Sequence, residues 1–257
     1  MKTQTIKYYL FSTIAISWSF WLLAAALTHL GKTPFSNPLV MLLFILGGIS
    51  PAFNEIYLKK KTSTLEEYRT FKKNIIHFKQ PLKAYLLVFG IAWLFCFLPV
   101  LLGGSVQLVP LYVAILEFPI MIIGGGIEEI GWRGFLQPML QKKFSTLASA
   151  CIVSLIWTFW HIPLWWIQGS NQSSMSLIWF TLTCFSLSIL LSYIWNKYES
   201  IYLCIIFHAA INSFWDVYVS NNKLLPTAII LILCVGFFLL TNRRAPEKNH
   251  PLTNYPQ

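Results

Sequence analysis

Eight stretches of about 20 mostly apolar residues, spread along the whole chain, constrain its fold more than any other feature. They run approximately over 8–30, 38–58, 82–103, 109–130, 145–166, 175–196, 200–218 and 223–241. A run of that length matches the hydrocarbon thickness of a bilayer when coiled as a helix. Composition agrees: 56% of the 257 residues are hydrophobic and only 11% charged, against about 25% charged in a soluble domain. A soluble enzyme, a disordered chain and a secreted disulfide scaffold are excluded. The expectation is an all-α polytopic membrane protein, a single transmembrane domain over 1–257 with about eight helices. The first run follows Lys2 and Lys7 and holds Ala24-Ala25-Ala26, as a cleaved signal peptide would, but its length favours a retained helix.

The formal net charge of +10 has a topological cause. With the N-terminus inside, 17 of the 19 Lys and Arg residues assign to inner segments, and only Lys32 and Lys223 to outer loops. That bias places both termini in the cytoplasm, including a tail over 242–257, and leaves no excess charge to argue for nucleic acid. The cell membrane of a bacterium is the expected location. The five cysteines (Cys96, Cys151, Cys184, Cys204 and Cys234) form no CxxC pair and fall in apolar runs, so they read as core residues. Between 62 and 79 the chain is too polar to span. Leu65, Tyr68, Phe71, Ile75 and Phe78 recur at helical spacing, Thr64 and Glu67 make a capping box, and a basic flank predicts an in-plane helix on an anionic leaflet.

Ionisable and amide groups at membrane depth mark function, and three clusters carry them. Glu128-Glu129-Ile130-Gly131-Trp132-Arg133 ends the fourth run, with Glu129 and Arg133 one helical turn apart and able to pair. Glu128, about 100° round the helix, is left to face another partner. Trp157 and His161 share a face before Pro163 bends the chain, and His208 shares one with Asn212 beside small Ala209 and Ala210. Counted at 1.5 Å per residue, Glu128, His161 and His208 lie roughly 16–27 Å from the inner boundary, so one water-filled cavity can gather them.

These elements resemble the CPBP family (CAAX proteases and bacteriocin-processing enzymes, also called Abi). The family pattern is Glu-Glu-x-x-x-Arg, Phe-x-x-x-His and His-x-x-x-Asn or Asp on neighbouring membrane helices. Glu128, Glu129 and Arg133 match the first element and His208 and Asn212 the last. The middle element has Trp157 where Phe is usual, with His161 in place. The resemblance implies an intramembrane endopeptidase with its core over 109–218. Glu128 would be the general base and His161 would hold water. His208 and Asn212 would donate to the developing oxyanion, and Glu129, Arg133 and Trp157 would give structural support. It also implies zinc as an optional cofactor on His161, His208 and Glu128, although no HExxH helix is present. The implied partners are the lipid bilayer and a membrane-associated peptide or protein, of CAAX type or leader-peptide type. Two other classes compete: a transporter using Glu117, Glu128 and the histidines as a proton relay, and a non-catalytic immunity protein on the same scaffold. Absence of repeat symmetry weighs against the first and intact motifs against the second.

Overall fold

The structure is a computed structural model, and it describes residues 2–242; all but the first residue of the expected tail lies outside the described residues. The chain forms α1 (Lys2–His29), α2 (Pro38–Gly48), α3 (Ser50–Thr62), α4 (Leu65–Ile75) and α5 (Leu82–Leu101), then a short strand β1 (Ser105–Gln107). After α6 (Tyr112–Ile123) come a 3₁₀ turn (Gly126–Glu128), α7 (Glu129–Gly131), a π turn (Trp132–Leu136) and α8 (Gln137–Gln141). α9 (Thr146–His161) continues into a 3₁₀ turn (Ile162–Trp166), and a second such turn spans Asn171–Ser174. α10 (Leu177–Tyr198), α11 (Ile201–Val217), β2 (Tyr218–Ser220) and α12 (Leu224–Asn242) complete the bundle. The all-α membrane architecture holds.

The helices divide by what surrounds them. Five are long and apolar enough to cross a membrane: α1, α5, α9 with its 3₁₀ extension, α10 and α12. The pair α2–α3, bent by 46°, makes a sixth. Eight uninterrupted spans are therefore not found, for two physical reasons. The fourth run stops at Ile123, because the Gly124-Gly125-Gly126 segment leaves the helix to pack against α11. A Cβ on Gly126 would sit 2.8 Å from the carbonyl oxygen of Ile205. The break comes at these glycines. The seventh run forms the 17-residue α11, most of whose residues are buried. Enclosed by other helices, it has no need of a full lipid-matched length.

Hydrogen bonds tie the connecting loops into two sets. At one end Asn74 Nδ2 donates to Glu199 O (2.9 Å), Ile201 N to Asn74 Oδ1 (2.7 Å) and Gln141 Nε2 to Asn196 Oδ1 (3.1 Å). At the other, Gln168 N donates to Thr28 Oγ1 (3.2 Å), and β1 pairs with β2 in antiparallel register, Val106 opposite Val219. That ladder satisfies backbone groups where α5 and α11 end. The capping box of α4 forms as expected, with Glu67 N donating to Thr64 Oγ1 (3.2 Å) and Thr64 N to Glu67 Oε2 (2.8 Å). Its apolar face splits: Phe71 is buried against the bundle beside Gly134, while Leu65 is exposed.

Candidate active site

Glu128, His161, His208 and Asn212 line one cavity of about 100 Å³, together with Trp21, Phe44, Trp157, Phe180 and Trp215. Three helical segments bring them there. Glu128 closes the 3₁₀ turn after the glycine break, His161 ends α9, and His208 and Asn212 share one face of α11. Gly125 makes the close approach feasible. A Cβ at that position would collide with Asn212 Nδ2 and lie 3.2 Å from His208 Nε2, so the backbone runs past the two donors where only glycine fits.

Glu128 is 7% exposed, and both indoles around it donate to its Oε2: Trp157 Nε1 at 2.9 Å and Trp132 Nε1 at 3.4 Å. With Oε2 occupied, Oε1 is the oxygen left for chemistry in the cavity. Trp157 is more than an aromatic wall. Its ring lies edge-on to His208 (centroids 5.2 Å apart), and the Arg133 guanidinium sits 5.4 Å from its centroid. The sequence comparison with the usual Phe hid this, because a Phe ring cannot donate a hydrogen bond.

Glu129 pairs with Arg133 as the spacing predicts, at 2.9 Å with both side chains wholly buried. Its second oxygen does what sequence reasoning missed: Oε1 accepts from His208 Nδ1 at 2.9 Å. Glu129 thus bridges a motif arginine and a motif histidine, and holds the ring so that Nε2 is left for the cavity. His161 is fixed similarly. Its Nδ1 lies 2.7 Å from Trp157 O; a carbonyl only accepts, so Nδ1 carries the proton and Nε2 is free as an acceptor. Trp160 and Phe180 pack edge-on to the imidazole at 4.5 and 5.1 Å. Glu117 does not line the cavity.

The implied zinc fits poorly. Among the described residues no three His, Cys, Asp or Glu side chains converge as metal ligands, and Glu128 Oε2 faces two indole N–H groups instead. A site with one acid, an amide and two histidines each anchored through Nδ1, within a helical membrane bundle, has the chemistry a hydrolase needs.

Comparison with known proteins agrees with that class. A family model described as "Type II CAAX prenyl endopeptidase Rce1-like" matches residues 110–214, the stretch that carries all three motifs. The chain is also similar to a protein named CAAX prenyl protease 2 from Methanococcus maripaludis, with 24% identity over 265 residues, covering 94% of this chain and 96% of that protein. Both comparisons support the expected resemblance to the CAAX protease (CPBP) family, and with it a protease.

Proposed function

We propose that the protein cleaves a peptide bond near the C-terminus of a lipid-modified, membrane-associated peptide, using water activated by Glu128. The observation that carries the reading is the convergence of Glu128, His161, His208 and Asn212 on one cavity inside the bundle. The names of the family and of the relative supply the substrate class, a prenylated CAAX-type peptide.

Glu128 Oε1 takes a proton from water, and His161 Nε2, an acceptor in its tautomer, orients that water through its second hydrogen. The hydroxide adds to the carbonyl carbon. Negative charge on the carbonyl oxygen is met by Asn212 Nδ2 and His208 Nε2. His208 already gives its Nδ1 proton to Glu129, so Nε2 donates only when the ring is an imidazolium. In that state Arg133 and His208 balance Glu128 and Glu129, and the cluster is neutral overall, which suits a low-dielectric interior. Collapse breaks the C–N bond, and the proton held by Glu128 passes to the leaving amine. No step runs through a metal.

The test is a purified, reconstituted preparation given an internally quenched farnesylated peptide, with products identified by mass. Cleavage by the wild type and none by Glu128→Gln supports the reading. Equal rates for the two overturn it. Cleavage of an unmodified peptide at the same rate would remove the lipid-modified substrate class while leaving the chemistry.

A further inference from the structure

A polar seam runs through the bundle from its basic end, marked by Lys142, Lys143 and Lys197, to the cavity. At its partly exposed entrance Gln141 donates to Asn196, and Asn196 Nδ2 to Thr146 Oγ1 at 3.2 Å. One turn further in, Ser192 donates to Gln137 Oε1 at 3.0 Å. The next level joins Arg133 Nη2 to Ser188 Oγ at 3.0 Å, and Arg133 then reaches Glu129 and, through it, His208. On α9, Ser154 and Thr158 lie four residues apart on one face, and Thr158 stands three residues before His161.

Three polar atoms between these helices are buried without a partner, Arg133 Nε, Gln137 Nε2 and Ser154 Oγ, and Thr158 Oγ1 meets only the weakly bonding Cys184 thiol. Arg133, Gln137 and Ser154 are wholly buried and Thr158 is 8% exposed. Each orphaned group carries a desolvation cost that no protein partner offsets. Hydroxyls serving only as helix-to-helix glue would satisfy one another. A row of leftovers ending at the catalytic histidines calls instead for small bridging molecules with both donor and acceptor capacity.

We infer that the seam binds a file of ordered water and supplies the hydrolytic water to the cavity from the basic end of the bundle. The inference rests on the hydrolase reading above. Phe44, Ile45 and Ile123 make part of the cavity wall apolar, and hydrocarbon delivers water poorly. Each turnover consumes one water; at neutral pH the products leave as carboxylate and ammonium, so no net proton is released and only water has to be carried.

The experiment combines Ser154→Val with Thr158→Val, near-isosteric changes that remove two hydroxyls: that of Ser154 has no protein partner to lose, and that of Thr158 only the Cys184 thiol. Blocking a conduit lowers kcat by on the order of tenfold with KM for the peptide unchanged. The melting temperature is nearly unchanged, because only the weak Thr158–Cys184 contact is lost. Ser154→Thr, which keeps the hydroxyl, retains wild-type kcat. Full kcat in the double variant overturns the inference, as does a loss of melting temperature that accounts for the lost activity. A high-resolution structure of the wild type supplies a readout independent of activity: ordered water within hydrogen-bonding distance of Arg133 Nε and Gln137 Nε2 is expected, and a dry, closed seam overturns the proposal. Should the wild type fail to cleave any peptide, the hydrolase reading falls while that structure still tests whether the seam holds water.

Discussion

The indole of Trp157 donates to the Glu128 carboxylate at 2.9 Å across the gap between α9 and the turn that precedes α7. That bond links two of the three motifs directly and fixes which carboxylate oxygen faces the cavity. Trp157→Phe restores the residue usual at this position in the family while deleting the donor. We expect kcat to fall by roughly three- to tenfold, as for a misoriented catalytic group, with little change in melting temperature. Trp157→Leu, which also removes the ring beside Arg133 and His208, should cost more in both. Kinetics and thermal melts of the two variants side by side check the ordering.

The two adjacent glutamates should separate cleanly. Glu128→Gln removes the base but keeps a group that can accept from the indoles, so the protein should fold and lose turnover by on the order of a hundredfold or more. Glu129→Gln leaves Arg133 buried and short of its counter-charge, at a cost of about 3–5 kcal/mol. It also loosens His208. Lower yield and melting temperature are therefore expected together with reduced kcat, and a second change, Arg133→Gln, should recover stability without recovering activity. A stable, inactive Glu129→Gln beside a fully active Glu128→Gln would reverse the assignment.

Much of this site was legible in the sequence because its residues are anomalies. Glu128, Glu129 and Arg133 stand out in an apolar run, and i, i+4 spacing alone predicts the Glu129–Arg133 pair that the structure contains. Spacing within a helix says nothing about what lies across from it. The Glu129–His208 bond joins residues 79 apart and the Trp157–Glu128 bond residues 29 apart, so neither was foreseen. Hydropathy counts eight runs where five helices, or six with the bent pair, are long and apolar enough to cross, and the difference has a related reason. Hydropathy measures composition and is blind to a helix that breaks to meet a neighbour, as at Gly124–Gly126, or that stays short because protein surrounds it, as α11 does. The glycine run itself was the available signal: three consecutive glycines rarely continue a helix.

Gly125 offers a steric test of the same geometry. A methyl group there would overlap the Asn212 amide and press on His208 Nε2, so Gly125→Ala should displace both proposed oxyanion donors. The expected loss is on the order of a hundredfold in kcat, with KM affected less. Gly90→Ala is the control: a Cβ there meets no atom within 4 Å and the position does not line the cavity, so activity should survive.

Removing metal tests the chemistry from another side. Because His, Cys, Asp and Glu side chains do not converge in threes among the described residues, hydrolysis should persist after treatment with a strong chelator and dialysis. Purified protein should carry far less than one equivalent of zinc by elemental analysis. Activity lost to chelator and restored by stoichiometric zinc would mean that the histidines move to meet a metal, and the Glu128-only mechanism would have to be abandoned.

Sidedness follows from the two sets of loops. The end tied together by Asn74, Gln141 and Asn196 carries Lys142, Lys143 and Lys197, whereas the end containing β1, β2 and Gly169 carries few cations besides Lys32 and Lys223. Positive charge is retained on the cytoplasmic side during insertion, so the first end should face the cytoplasm. A reporter fused after Arg244 is expected to give a cytoplasmic signal, and one inserted near Gly169 an external one. Gly169 has φ +86° and lies on an exposed turn, which makes an insertion there tolerable. The orientation also determines where the conduit begins: with Lys142 and Lys197 inside, its entrance draws water from the cytoplasm. Opposite reporter signals would place that entrance on the outer surface and overturn the charge-based orientation.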